Sequence, residues 1–233
     1  EKGIHQVPKS LATIALKNGA KIRTNSPVKR IIVENGSACG VELTSGEIIE
    51  ADIVVSNADM HHTETILLEE KHQQYKESYW GKKMMAPSAF ILYLGVDGKV
   101  PSLTHHSLLF SKNWKKNFDE IFDNPQFPSD PSLYICTPSK TDPTVAPEGK
   151  ENMFVLVPIA SGLEYTDAML DEYKTKILTL IEKEMDIPNL SQRILYSRIF
   201  CVKDFYSYYN AYKGTALGLA HTLRQTALFR PNN

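Results

Sequence analysis

The chain has 233 residues, a formal net charge of -1 and a hydrophobic content of 42%. This length suits one large or two small globular domains. The near-neutral charge provides neither the basic face that nucleic-acid binding needs nor a polybasic membrane anchor. No apolar run reaches the ~20 residues of a membrane span. Because Cys39, Cys136 and Cys201 have no CxxC spacing, we expect no disulfide framework and a reducing, cytoplasmic compartment.

The first part of the chain predicts one helix followed by a β-meander. Pro8 suits the first turn of a helix over residues 7–18, and Gly19 suits the position just past its end. The Asn-Gly pair at 35–36 is a strong hairpin turn, since both residues tolerate positive φ. An all-apolar run is typical of a buried strand. The predicted strands cover residues 21–24, 28–33, 38–43, 47–51 and, as the buried strand, 53–55.

The remainder predicts strands that alternate with helices. Asp59 is a candidate cap for a helix over 60–68, and Thr166 for the longest helix, over 166–184. Residues 89–95 are apolar throughout and predict a strand buried on both faces. Further strands are predicted at 107–110, 133–137, 153–158 and 194–200, and further helices at 114–122, 204–212 and 217–228.

Together these elements predict a mixed α/β (α+β) fold with two regions. Residues 1–60 form a helix, a β-meander and a buried strand. Residues 61–233 form a larger domain with a mixed sheet and flanking helices. No internal repeat or low-complexity segment interrupts this arrangement.

Motifs that carry chemistry are absent from the sequence itself. It contains no GxGxxG, no phosphate-binding loop and no GxSxG nucleophile turn. The pairs His61-His62 and His105-His106 do not favour a metal site, because neighbouring side chains in a strand point to opposite faces; we therefore expect no metal. Six aromatic residues crowd into residues 200–212, where they suit either an apolar ligand channel or an aromatic corner of the core.

The C-terminal stretch closely resembles the bacterial phytoene desaturase family. The matching elements are Asn210-Ala211, Gly214-Thr215-Ala216, Thr222, Gln225-Thr226 and Phe229-Arg230-Pro231-Asn232. Other matching stretches, in the same order along the chain, include residues 54–59 (VVSNAD), 88–95 (SAFILYLG), 138–149 (PSKTDPTVAPEG) and 154–158 (FVLVP). The resemblance covers essentially the whole chain.

The resemblance implies a carotenoid desaturase that introduces double bonds into phytoene or a similar polyene, with hydride transfer to FAD. Members of this family bind FAD at an N-terminal GxGxxG turn and at a C-terminal glycine-rich segment. Neither is present in this sequence, so we expect a central piece of a longer enzyme. It would combine the meander of the FAD domain with the substrate domain, and alone it would retain no FAD and show no activity.

The resemblance also implies sites and partners. It places Val28, Asn57 and Ala58 near FAD. Among tunnel-lining residues it favours Phe90, Leu92, Tyr134 and Tyr208. Arg198 and Asp204 fit family positions as weak acid/base candidates, although an ion pair or a helix cap is the stronger interpretation for both. We expect an apolar polyene as substrate, peripheral contact with a membrane, no nucleic acid, and self-association of the isolated piece.

Two alternatives remain open at this point. In the first, the enzyme acts on diapophytoene or another carotenoid, as a desaturase or an isomerase. In the second, the chain is a lipid-binding domain without catalysis. Tunnel length and the coding sequence beyond Asn233 would distinguish these possibilities.

Overall fold

The N-terminal part forms one helix and a three-stranded antiparallel sheet. The computed structural model describes residues 3–231 and places α1 at Gln6–Lys17. The sheet has the order β1-β2-β3, with β1 at Val28–Glu34, β2 at Ser37–Leu43 and β3 at Ile48–Glu50. Asn35 and Gly36 have φ values of 50° and 81° in the tight turn between β1 and β2, so the meander prediction is confirmed.

Two predicted strands of this region are wrong. Residues 21–24 and the apolar run 53–55 form no strand. Ile53 and Val55 are 79% and 85% exposed. A strand needs a neighbour that takes up its backbone hydrogen bonds, and no strand within residues 3–231 pairs with this run. The run thus has the sequence of a buried strand, but no neighbouring element of the described chain covers Ile53 and Val55.

Short helical turns follow the meander. Asp59 accepts a hydrogen bond from the His62 backbone N–H at 3.2 Å, as the predicted cap requires. The helix it starts, α2 (Met60–His62), continues as a π-helix over Thr63–Leu67. A 3-10 turn (Glu70–His72) and the short helix α3 (Glu77–Trp80) then lead to the second sheet.

The second sheet has five strands in the order β5-β6-β7-β4-β8. Helices and strands are mixed along the chain as predicted, and within the sheet every pair is antiparallel. The central pair β4 and β7 is in register over all nine residues of each strand. The strands are β4 (Ser88–Val96), β5 (His106–Leu109), β6 (Leu133–Cys136), β7 (Glu151–Ile159) and β8 (Ile194–Phe200).

One face of this sheet holds the main hydrophobic core. In β7 the odd-numbered residues are buried and the even-numbered ones half-buried, because successive side chains of a strand alternate between faces. Helix α5 (Asp167–Glu184) covers the buried face with Tyr173, Ile177 and Ile181. The Thr166 hydroxyl caps this helix by accepting the Met169 N–H at 3.3 Å.

Two further helices flank the sheet. Along the chain, helix α4 (Trp114–Phe122) connects β5 to β6, and α6 (Val202–Tyr209) follows β8. The helix predicted over 217–228 is instead an irregular segment with two 3-10 turns, at Leu223–Gln225 and Ala227–Phe229. Among the described residues, no helix combines the length and apolar character needed to cross a bilayer.

Candidate functional site

The face of the five-stranded sheet that lies opposite α5 is apolar and partly open; we call it the open face. Paired residues in antiparallel strands project to the same side, so the strand register defines two adjacent rows of side chains. One row contains Leu108, Tyr134, Leu156, Ile91 and Phe200. The other row contains His106, Cys136, Phe154, Tyr93 and Arg198.

Two cavities lie along the open face. The larger has a volume of about 1000 Å³, and its lining includes His106, Tyr134 and Phe154. The smaller, of about 430 Å³, is lined by Tyr93 and Tyr196 and shares Phe154 with the larger one. Volumes of this size are typical of small-molecule sites. The shared phenylalanine makes the two cavities neighbours along one apolar surface.

The proposed tunnel residues Phe90 and Leu92 lie on the other face. Both are fully buried in the core against α5, and the Phe90 ring meets the Tyr173 ring edge-on at 5.1 Å. The two residues alternate with Ile91 and Tyr93, which belong to the open face. The strand at residues 89–95 was predicted correctly, but the residues assigned to its open side were not. An all-apolar strand gives no signal for which of its two faces meets solvent. Phe90 and Leu92 are therefore core residues.

Tyr134 does lie on the open face, in the lining of the larger cavity. Burial and the neighbouring Cys136 thiol raise the pKa of Tyr134 to about 12, so its hydroxyl is neutral at physiological pH. Tyr208 is 63% exposed on α6 and packs beside Phe200 with ring centroids 5.8 Å apart. It therefore borders the end of the open face that α6 covers.

The two acid/base candidates have structural contacts. Arg198 donates a hydrogen bond to the Tyr208 hydroxyl at 3.3 Å, and this bond raises the pKa of Arg198. A guanidinium that stays protonated cannot accept a proton from a substrate. Asp204 accepts the Cys201 backbone N–H at 2.8 Å and completes a capping box at the start of α6. Asp204 thus acts as the helix cap that its position suggested.

The three cofactor candidates meet in a separate cavity of about 340 Å³ at the meander. Val28, Asn57 and Ala58 line it together with His62 and Asn210. Its walls are otherwise mainly aliphatic, formed by Ile31, Val41, Val54, Val55 and Leu67. Burial lowers the pKa of His62 more than Asp59 raises it, so this imidazole is neutral near pH 7.

Sequence reasoning missed one cluster. His105, His106 and Cys136 place three potential ligand atoms within 4.8 Å of one another beside the larger cavity. The expectation that the His105 and His106 side chains point to opposite faces assumes that both residues lie in a strand. His105 in fact precedes β5, whose first residue is His106, so the two imidazoles can converge. Only the strand register, which pairs His106 with Cys136, could have revealed the third member.

Comparison with known sequences defines the class of the protein. The profile of the flavin containing amine oxidoreductase family matches residues 1–233, and the chain belongs to this family. It is 46% identical over 231 residues to the carotenoid 3,4-desaturase of Haloarcula japonica and 33% identical over 233 residues to the zeta-carotene-forming phytoene desaturase of Myxococcus xanthus. Each alignment covers 99% of this chain, but 46% and 44% of the respective relative. The chain therefore spans about half the length of these curated relatives.

Solved structures support the same fold. An oxidoreductase from Methanosarcina mazei aligns over 86% of this chain and 43% of its own, with a TM-score of 0.56 at 21% sequence identity. The Phe-Arg-Pro-Asn motif at residues 229–232 is described only to Pro231, and Asn232 lies outside the described residues. The family resemblance inferred from the sequence is confirmed.

Proposed function

We propose that this chain forms the meander and substrate-binding regions of an FAD-dependent carotenoid desaturase, an oxidoreductase that acts on CH–CH groups. The observation that carries this proposal is the open face, where aliphatic and aromatic side chains border two adjoining cavities. A polyene has no polar handle, so an extended apolar surface is the recognition that it requires. Residues 1–60 would belong to the FAD domain and residues 61–233 to the substrate domain.

Sequence similarity favours a carotenoid other than phytoene as the substrate. The chain is 46% identical to a carotenoid 3,4-desaturase and 33% identical to a phytoene desaturase. The alternative of another carotenoid, left open by the sequence, is therefore our preferred substrate class. Diapophytoene desaturation remains a second candidate, supported by 31% identity to such an enzyme from Methylomonas.

The cavity at Val28, Asn57 and Ala58 fits part of a flavin dinucleotide. Aliphatic walls suit the faces of a heterocycle, while Asn57, neutral His62 and Asn210 supply polar atoms at its rim. Bound flavin would supply the hydride acceptor for the desaturation. The sequence has no glycine-rich phosphate turn, and we propose that the 233-residue chain alone retains little FAD.

The chain's own contribution to the reaction would be positioning and the exclusion of water. Ile91, Leu156 and Phe154 form the central part of the open face, and α6 closes one end with Phe205. Arg198, kept protonated by Tyr208, would serve as a fixed positive charge at this end. These residues would hold the alkene in a dry environment.

An exposed aromatic row supports contact with a membrane surface, from which an apolar substrate would be drawn. Phe110, Trp114, Phe118 and Phe122 stack in series, with successive ring centroids 5.5, 6.1 and 6.2 Å apart. The first three of them are about half exposed. A helix that presents tryptophan and phenylalanine on one face suits the membrane–water interface.

Substitution of Phe154 tests the substrate proposal. The full-length encoded protein would be expressed in cells that accumulate phytoene and, separately, in cells that accumulate a more desaturated carotenoid, with pigments resolved by liquid chromatography. Phe154→Lys should reduce product at least tenfold, because it places a charge on the apolar surface. Phe154→Leu should retain most activity.

The matched control is Met169→Lys, which adds the same charge to the partly exposed Met169 on α5, beyond the opposite face of the sheet. Its product yield should equal that of the unsubstituted protein. Desaturation that survives Phe154→Lys would contradict the open face as the substrate site. An unsubstituted protein that is folded, flavin-loaded and inactive on every carotenoid supplied would refute the desaturase proposal.

A further inference from the structure

Three side chains of different types converge at one edge of the open face. His106 begins β5 and is directly opposite Cys136 of β6. His105, one residue earlier, is held beside them by the hydrogen bond from Thr137 N–H to the His105 carbonyl at 2.8 Å. The two imidazole centroids are 4.3 Å apart. Backbone hydrogen bonds thus hold the backbones of all three residues close together.

Each histidine has a hydroxyl partner at Nδ1. The Thr141 hydroxyl lies 2.6 Å from His105 Nδ1 and also donates to the Pro138 carbonyl at 3.4 Å. When His105 Nδ1 carries the ring proton, it donates that proton to the Thr141 oxygen. The Tyr134 hydroxyl lies 2.8 Å from His106 Nδ1.

Within residues 3–231, Nε2 of each ring makes no hydrogen bond, so it is available to coordinate an ion. Histidines that bind metals typically donate their other ring N–H to such a neighbour, which fixes the tautomer and the ring orientation. The arrangement therefore provides two imidazole nitrogens and one sulfur. It also holds each ring through the nitrogen that does not bind.

The donor set matches a divalent zinc ion. Zinc accepts both histidine nitrogen and cysteine sulfur, at about 2.0–2.1 Å and 2.3 Å, which corresponds to separations of about 3.3–3.6 Å between these ligand atoms in a tetrahedral site. One ligand atom of each residue lies within 4.8 Å of those of the other two, so an inward movement of about 1 Å completes the geometry. His106 is exposed and His105 and Cys136 are half-buried, which leaves the side chains room for that adjustment.

We propose that His105, His106 and Cys136 form a zinc site at the edge of the open face, with one coordination position left for a further ligand. Sites with three protein ligands keep one position for water or for an oxygen of a bound molecule. The ion would tie β5, at the edge of the sheet, to β6 and to the turn that carries Thr141. This proposal stands on the local geometry and does not depend on carotenoid desaturation.

Cobalt(II) is the probe, because it substitutes for zinc and reports its ligands by absorption. The full-length encoded protein, stripped with a chelator, should bind about one Co²⁺ per chain at this site. It should show visible bands of a tetrahedral ion and a near-ultraviolet sulfur-to-cobalt band. Added Zn²⁺ should abolish both. Cys136→Ser should remove the sulfur band, and His106→Gln should weaken binding at least tenfold.

Two further variants make the test specific. Thr141→Val should weaken Co²⁺ binding about tenfold, because it removes only the partner that orients His105. Cys39→Ser is the matched control, since Cys39 is also a half-buried free thiol but lies in the meander; its spectrum should be unchanged. Circular dichroism establishes that each variant is folded. A sulfur-to-cobalt band that survives Cys136→Ser, one that is lost in Cys39→Ser, or the lack of Co²⁺ binding in the folded unsubstituted protein would overturn the proposal.

Discussion

Asp204 shows how a single residue can suit a catalytic and a structural role in the same sequence. It lies four residues after Phe200, at the end of the open face, where a carboxylate could take part in proton transfer. Its Oδ2 atom, however, accepts the Cys201 N–H at 2.8 Å. The hydrogen bond completes the first turn of α6 and thus explains the carboxylate without any reaction.

Two substitutions of Asp204 separate these roles. Asp204→Ala removes the acceptor and should lower the free energy of unfolding by about 1 kcal/mol. Asp204→Asn keeps an oxygen that can accept the same hydrogen bond, so its cost should be smaller, and the proposed desaturase activity of the full-length encoded protein should persist. Denaturant unfolding and pigment analysis on the same preparations check both. General acid–base catalysis usually contributes about 10²–10⁴-fold to a rate. A stable Asp204→Asn protein whose rate of desaturation falls by that factor would instead establish a catalytic carboxylate.

Burial fixes the chemistry of another residue at the same turn. Cys201 is fully buried, and this burial raises the pKa of its thiol to about 11. Because the folded-state pKa exceeds the unfolded value, the folded protein holds this proton more tightly. The associated stability is complete below the unfolded pKa and is lost as the pH rises through about 9 to 11. Sequence composition identified three unpaired cysteines but gave no signal that this one is enclosed.

At the scale of elements, Gly214 fastens the start of α6 to β4. Its φ is +58°, and a Cβ there would collide with the Val202 carbonyl oxygen and Cγ1. Its own carbonyl accepts the Ser88 hydroxyl hydrogen bond at 2.6 Å. Position 214 therefore requires glycine for two reasons: its positive φ and the lack of space for a Cβ atom.

Gly214→Ala should accordingly destabilise the protein by about 2–4 kcal/mol, from left-handed backbone strain and overpacking together. Gly218→Ala is the matched control. Gly218 has a similar φ of +77°, but an added Cβ there meets no atom within 4 Å, so only about 1–2 kcal/mol is expected. Denaturant unfolding of both variants gives the comparison. Equal losses of unfolding free energy in the two variants would show that Val202 moves aside and that its contact with residue 214 contributes little to stability.

Element by element, the sequence predicts what local chemistry decides. The Asn-Gly turn at 35–36, the Asp59 and Thr166 caps and the apolar strand 89–95 all follow from local rules. The strand predicted at 53–55 fails because pairing depends on a distant neighbour. The face assignment of Phe90 fails because β4 is apolar on both sides. Convergence of His105, His106 and Cys136 required the register of β5 with β6, which no local pattern encodes.

At the scale of the whole molecule, the two cavity regions divide the proposed roles. The cavity at the meander contains the three cofactor candidates, and the open face contains the apolar surface for a substrate. Val28, Asn57 and Ala58, which the sequence proposed as cofactor contacts, line one cavity, and FAD binding there stays a prediction. Of the four residues proposed for the substrate, Tyr134 lines the larger cavity of the open face and Tyr208 borders the end of this face.

The uncovered run 53–55 has a consequence for the behaviour of the chain in solution. Its side chains are aliphatic, its residues belong to no strand of the described sheets, and Ile53 and Val55 are among the most exposed large apolar residues. Exposed apolar segments with unpaired backbone groups promote association with another chain. We therefore expect the purified 233-residue chain to self-associate.

The double substitution Ile53→Lys and Val55→Lys should weaken self-association at least tenfold, measured by sedimentation equilibrium over a range of concentrations. Ser37→Lys with Ser45→Lys is the matched control, since it adds two charges to exposed polar positions of the same meander. The control should associate like the unsubstituted chain. A monomeric unsubstituted chain at high concentration would refute the expectation. If instead both double variants dissociate equally, net charge rather than the run 53–55 governs association, because only the first variant removes apolar surface.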